Sequence, residues 1–223
     1  MDDAGPLFRW PSKGRVGRTI PKERLYAEAR ITSRVKQRFV EDLQRVTWAY
    51  KIGEQALPLK PCDSMTEFQI FEVELKADDV ADQVLKTIDG AVPSPVIFEL
   101  IRNRAGHAEI QVAAARKELG QRGPKLSSYF RSHWGPGDAV RSDLPAALDL
   151  GGLYDGVLAA LLPLSARPGE DLSEAIGRMT RVAQLEREIG ALERRLRNER
   201  QLNRKVALRR ALKTKQAELE QQR

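Results

Sequence analysis

The last quarter of the chain most constrains what it can form. From Glu170 to Arg223 there is no proline, and only Gly177 and Gly190 are weak helix formers. Val182, Leu185, Ile189, Leu192 and Leu196 recur at alternating steps of three and four, the spacing of a coiled-coil seam. This pattern predicts one long helix over 170–223. Continued past Leu196, the seam meets Glu199, Asn203, Val206, Arg210 and Lys213 and loses its apolar character. Leu208, Leu212 and Leu219 form a second stripe in another register. Two to three clean heptads are too short to stand alone. The seam therefore calls for a mate, supplied by a second copy, another subunit or the chain's own domain.

The same segment carries an unbalanced charge. Arg194, Arg195, Arg197, Arg200, Arg204, Lys205, Arg209, Arg210, Lys213 and Lys215 face a single acid, Glu199, over residues 194–215. On a helix, Arg200 and Arg204, like Lys205 and Arg209, repel at i,i+4 spacing. A phosphate backbone relieves that repulsion and releases counterions. An acidic protein surface relieves it too, and a solvated helix face tolerates it. The net charge of +7 divides unevenly along the 223 residues. Residues 1–60 hold 13 cations against 7 carboxylates, residues 61–169 hold 11 against 15, and residues 170–223 hold 14 against 9. An acidic body between basic ends points to a polyanionic partner.

Upstream, residues 1–21 read as an irregular arm, because Pro6, Pro11, Pro21, Gly14 and Gly17 interrupt regular structure. Leu25, Ala29, Val35, Phe39 and Leu43 predict a helix over about 22–44. Val46–Tyr50, Glu67–Lys76, Val96–Ile101, Ala108–Ala115 and Leu126–Arg131 read as strands. The third and fourth are joinable as a hairpin across Arg102–Gly106. Val80, Val84, Leu85 and Ile88 mark a helix capped by Asp78 or Asp79 and ended by Gly90, and residues 143–162 read as a short apolar helix. The expected fold is α+β: a small, mainly antiparallel sheet flanked by helices, followed by a long C-terminal coiled-coil-like helix. Its parts are an arm over 1–21, a body over 22–164, a linker over 165–169 and the basic helix over 170–223.

Chemistry-bearing motifs are few. Asp63 followed by Glu74-Leu75-Lys76 imitates the Asp…Glu-x-Lys spacing of metal-dependent nucleases. Glu74 and Lys76 share one strand face, where one can hold Mg2+ or Mn2+ while the other orients water. Strands with polar outer faces also produce Glu-x-Lys by simple alternation, and Pro61-Cys62-Asp63 displaces the proline that usually precedes the acid. The lone Cys62 excludes an internal disulfide and a multi-cysteine zinc site, and the two histidines, His107 and His133, argue against a histidine-rich metal centre. Phosphate-loop, dinucleotide-binding and nucleophile-elbow motifs are absent from the sequence. Trp48, Tyr50 and Trp134 read as packing residues, with Arg131 beside an aromatic pair as a candidate base-stacking spot. No apolar run reaches membrane-spanning length, and the acidic, proline-broken start does not read as a signal peptide. A cytoplasmic protein without membrane contact is expected.

Several segments carry a family resemblance: Ile20-Pro-Lys22, Val46-Thr-Trp-Ala-Tyr-Lys51, Glu67–Lys76, Ile88–Pro93 with Val96-Ile-Phe98, Tyr129-Phe130 with Trp134, and Asn198–Val206. Over roughly Ile20 to Leu219 the chain resembles an uncharacterised bacterial family, domain of unknown function forty-three ninety-one. The resemblance implies a setting beside helicases and DNA methyltransferases in restriction or phage-defence loci. It thereby implies a non-catalytic accessory subunit that touches a helicase- or methyltransferase-type partner, or itself, and DNA. It assigns no active residues and no cofactor. A metal-dependent nuclease and a homodimeric structural protein are the alternative expectations.

Overall fold

Alternation of apolar and polar residues along Glu67–Leu75 builds the centre of the structure. Phe71, Val73 and Leu75 point to one side of this strand and Phe68, Ile70 and Glu72 to the other. Residues 6–27, 31–63, 65–120, 123–163 and 167–223 are described by the computed structural model. The chain divides into two units, Met1–Leu162 and Pro163–Arg223.

In the first unit, a short 3-10 turn at Ser12–Gly14 leads into β1 (Arg15–Thr19). Then come α1 (Lys22–Ala27), α2 (Ser33–Asp42), β2 (Leu43–Gly53), β3 (Glu67–Leu75), α3 (Asp82–Ala91), β4 (Val96–Arg104) and β5 (His107–Ala114). β6 (Lys117–Gly120) pairs β7 (Gly123–Leu126) in a separate ribbon, and β8 (Phe130–Arg131), β9 (Gly135–Pro136) and α4 (Leu150–Leu161) complete the unit. The main sheet has the order β1-β2-β3-β4-β5-β8, with β9 also on β5. All its pairs are antiparallel except β3–β4, which α3 joins as a crossover. The fold is therefore α+β with a mainly antiparallel sheet, as expected.

Several local readings change. The helix expected behind an Asp78 or Asp79 cap and ended by Gly90 runs Asp82–Ala91, with Ala81 at its N-cap and Gly90 inside its last turn. The helix expected over 143–162 begins only at Leu150, where the Asp149 carboxylate accepts from Gly152 N–H. The N-terminal arm is not wholly irregular: residues 15–19 pair antiparallel with β2 and form an edge of the sheet. Gly17 sits at φ 64°, and the register shifts between Arg15 and Arg18, so the glycine opens a bulge that lets the strand follow the sheet. The helix expected over 22–44 is two helices, and the chain is already β at Leu43. α2 begins at the N-cap Thr32, whose hydroxyl accepts from the Val35 N–H. The strand expected over 126–131 shrinks to two residues. The β4–β5 hairpin is as anticipated. Its two central residues, Ala105 at φ 52° and Gly106 at φ 83°, both adopt the left-handed conformation that matches strand twist.

The core on one side of the sheet joins Phe39, Phe71, Val73, Leu85, Ile88, Phe98, Leu100 and Tyr129. Each such side chain contributes roughly 1.5–3 kcal/mol of burial. On the other side, Glu99 is buried yet fully engaged. Arg141 meets it with two hydrogen bonds of 2.7 Å, and the Trp10 indole donates a third of 2.7 Å. This charged clamp holds residues 7–10 and 141–142 on the sheet, where Arg9 N–H donates to Ser142 O at 2.8 Å and Ser142 N–H to Leu7 O at 2.7 Å.

In the second unit, α5 (Leu172–Asn198) is the long C-terminal helix of the sequence reading. It does not run to the end of the chain. It stops at Asn198, and α6 (Leu202–Gln222) returns along it. Residues 1–5 and 164–166, parts of the expected arm, body and linker, lie outside the described residues.

Candidate nucleic-acid interface

The hairpin of α5 and α6 decides where the basic residues lie. α5 opens with a capping box: Asp171 accepts from Glu174 N–H at 2.8 Å, and Glu174 accepts from Asp171 N–H at 3.0 Å. At the far end no proline or glycine breaks the helix. Instead, the Glu199 carboxylate accepts from the N–H groups of Arg200 and Gln201, both at 2.9 Å. These bonds satisfy donors left open at the start of α6 and, before the fields of Arg204 and Lys205, hold the Glu199 carboxyl below its ordinary pKa. Reversal brings the two stripes of different register onto facing helices, which a straight rod cannot do. Packing thus overrides uninterrupted helix propensity. The change of register after Leu196 was the sequence sign of this turn.

Val182 and Leu185 are buried, and Ile189, Leu192 and Leu196 are half-buried. Leu192 and Ala191 line one groove with Ala211 and Thr214, so the seam meets a mate in its own chain.

The two ends of the hairpin differ electrically. Near its base, Arg181 meets Glu218 at 3.0 Å, Lys215 meets Glu188 and Glu218 at 3.1 Å, and Arg223 meets Glu186 at 3.0 Å. Arg178 binds Glu170 at 2.7 and 2.8 Å, and this hydrogen-bonded guanidinium lowers the Glu170 carboxyl to a pKa of about 2. Of the ten cations singled out in the sequence, Lys215 therefore belongs to this internal network. Hydrogen bonds to Glu188 and Glu218 raise its pKa.

The other nine, Arg194, Arg195, Arg197, Arg200, Arg204, Lys205, Arg209, Arg210 and Lys213, lie toward the turn and take part in no ion pair among the described residues. All are exposed except Lys205, which is half-buried. Glu193 and Glu199 are the only carboxylates between residues 193 and 213. The tip is a concentrated positive surface, complementary in charge to phosphates or to an acidic protein surface.

The nuclease-like residues fall toward opposite ends of β3. Asp63 is exposed in the turn closed by Cys62 and Met65, ahead of the Glu67 end of β3. Glu74 is near the opposite end. Seven strand steps separate Glu67 from Glu74, about 23 Å at a 3.3 Å rise, and the four residues back to Asp63 recover at most about 14 Å. Backbone spacing thus leaves at least about 9 Å between the Asp63 and Glu74 positions. Glu74 is held by Arg45, and Lys76 donates to Val40 O at 3.0 Å. No cluster of three or more His, Cys, Asp or Glu among the described residues is arranged to hold a metal ion. Arg131, the candidate stacking cation, is engaged by Asp79 at 2.8 Å and Asp82 at 2.7 Å, and the Arg102 guanidinium lies 4.0 Å from the Trp134 ring centroid.

Two features of the body were not legible as sites. One is a buried network. Lys117 donates to Asp89 Oδ1 at 3.1 Å, to the carbonyls of Asp89 at 2.6 Å and Ser94 at 3.2 Å, and to that of Val92, while Tyr129 donates to Asp89 Oδ2 at 2.9 Å. Both charged side chains are 0% exposed. Burial pushes the Asp89 carboxyl above its ordinary pKa, against the pull of Lys117 and the Tyr129 hydrogen bond. The other is a cleft of about 400 Å³ lined by Arg18, Arg24, Trp48, Gln69, Val92 and Ser94, among others.

No helix among the described residues is long and apolar enough to cross a membrane. No curated protein and no solved structure matches the chain. A family model described as Domain of unknown function (DUF4391) matches residues 8–219, spanning both units and the hairpin tip. The chain belongs to that family.

Proposed function

We propose that this protein is a non-catalytic accessory or scaffold component of a bacterial DNA restriction–modification or phage-defence assembly, and that its hairpin tip engages DNA phosphates. One observation carries the reading: the turn at residues 199–201 gathers nine cations outside the internal ion pairs, while the base of the hairpin is neutralised from within. Leu202 and Val206 are 73% and 41% exposed at the same tip, which supports contact with a helicase- or methyltransferase-type subunit, or a second copy, beside the nucleic acid. The engagement of Glu74 by Arg45 and of Lys76 by the Val40 carbonyl supports a binding role over a nuclease role.

The test is anisotropy of a labelled duplex titrated with the full chain between 50 and 200 mM salt, a range over which phosphate-dominated binding changes about a thousandfold or more. Replacing Arg200, Arg204, Arg209 and Arg210 with Gln lowers the log–log salt slope by about 3.6, at roughly 0.9 per phosphate contact. Absence of binding at low salt, or an unchanged slope in the variant, removes DNA as the target and leaves an acidic protein surface as the complement of the tip.

A further inference from the structure

The cleft on the sheet body lies between β1, α1 and the chain that follows α3. Its floor is polar and rich in acceptors. Gln69, 4% exposed, accepts from the Trp48 indole at 2.7 Å and donates to Glu67 Oε1 at 2.9 Å and Ser94 Oγ at 3.1 Å. The other Glu67 oxygen is held by Lys51 at 2.6 Å. These bonds fix the floor in place, and the Gln69 carbonyl keeps a second lone pair. The walls are apolar and partly aromatic: Ile20, Leu25, Trp48, Phe71, Val92 and Pro93. One wall is braced from behind, because buried Lys117 binds the carbonyls of Val92 and Ser94. Arg18 and Arg24 complete the lining, both exposed and in no ion pair among the described residues.

A ligand for such a cleft carries an N–H donor at one end for Glu67 and Gln69. It has a flat apolar body for Trp48 and an anion for the two guanidinium groups that share the lining. A volume of about 400 Å³ falls in the range of small-molecule sites. An amino-bearing nucleobase with its phosphate has all three features. Aromatic stacking contributes about 1–3 kcal/mol per base, and arginine suits phosphate through its planar fork of donors.

We propose that this cleft binds a nucleotide, with the base against Trp48 over the Gln69–Glu67 floor and the phosphate at Arg18 and Arg24. The ligand is either a free mononucleotide or the unpaired, 5′-phosphorylated end of a strand. Neither source depends on the hairpin tip.

The experiment follows the Trp48 indole N–H by NMR in the full chain, assigned with a Trp48→Phe variant, during titration with AMP, inorganic phosphate or a 5′-phosphorylated single-stranded hexanucleotide. Saturable shifts with AMP, and none with inorganic phosphate at equal concentration, are expected for the free nucleotide. Shifts with the hexanucleotide at concentrations at least tenfold lower than with AMP assign the strand end. Arg18→Gln with Arg24→Gln weakens either titration at least tenfold, whereas a variant neutralised at Arg200, Arg204, Arg209 and Arg210 keeps it unchanged. The proposal is overturned if the indole signal stays still with both nucleotide probes, if inorganic phosphate alone reproduces the shift, or if the Arg18 and Arg24 variant binds like the parent. Because both arginines are exposed, their replacement leaves the core intact, and an unchanged amide spectrum elsewhere verifies this.

Discussion

Lys215 of α6 and Glu188 of α5 lie 3.1 Å apart, so one cation of a basic run is consumed in closing the hairpin that displays the others. Lys215 is 28% exposed and Glu188 35% exposed, and Glu218 adds a second carboxylate at 3.1 Å. Chain reversal thereby sorts neighbouring positive charges into internal and external sets.

The two sets should respond differently to single substitutions. Lys215→Gln leaves the salt slope of duplex binding unchanged, whereas Arg204→Gln lowers it by about 0.9. Anisotropy titrations at several salt concentrations measure both. Equal slopes for the two variants would show that the hairpin does not sort these charges in solution.

The buried Lys117–Asp89 pair makes a sharper stability prediction. Lys117→Met leaves the carboxylate buried without its cation and costs about 3–5 kcal/mol. Lys117→Met combined with Asp89→Asn recovers part of that loss, because no uncompensated charge remains. Urea unfolding of the full chain checks this through the transition of the sheet unit. A single-variant loss below about 1 kcal/mol would contradict the buried pairing.

Glu170 sets an acid limit for the base of the hairpin. Its hydrogen bonds from Arg178 lower the carboxyl from 4.5 to about 2. A depressed carboxyl contributes stability that is present above the ordinary value of 4.5 and lost as pH falls toward 2. Carbon-detected NMR of the side-chain carboxyl should therefore show Glu170 titrating near 2, with the Arg178 guanidinium resonances moving alongside. In Glu170→Gln the Arg178 resonances should be flat over that range. A Glu170 midpoint near 4.5 is the contrary result.

Local pattern was enough for much of the fold. Alternation along Glu67–Leu75 marked a strand with one face in the core, and the paired strands around Ala105-Gly106 marked a hairpin, because side-chain period and turn chemistry are local properties. The edge strand at Arg15–Thr19 was hidden, since its five residues are all exposed and carry no apolar alternation; pairing with β2 alone makes it a strand. The cleft residues were hidden for a similar reason. Arg18, Trp48, Gln69 and Ser94 lie far apart in sequence, and only the sheet order and the β3–β4 crossover bring them to one place.

By itself, the sequence determined that the terminal segment is helical, that it carries an apolar seam and that its cations outnumber its acids. Each follows from residue type and spacing. Tertiary structure alone decided that the segment doubles back at Glu199, that Lys215 turns inward while Arg204 stays outside, and that Arg45 takes up Glu74. These outcomes depend on which distant groups meet, and burial and charge pairing between helices and strands settle that.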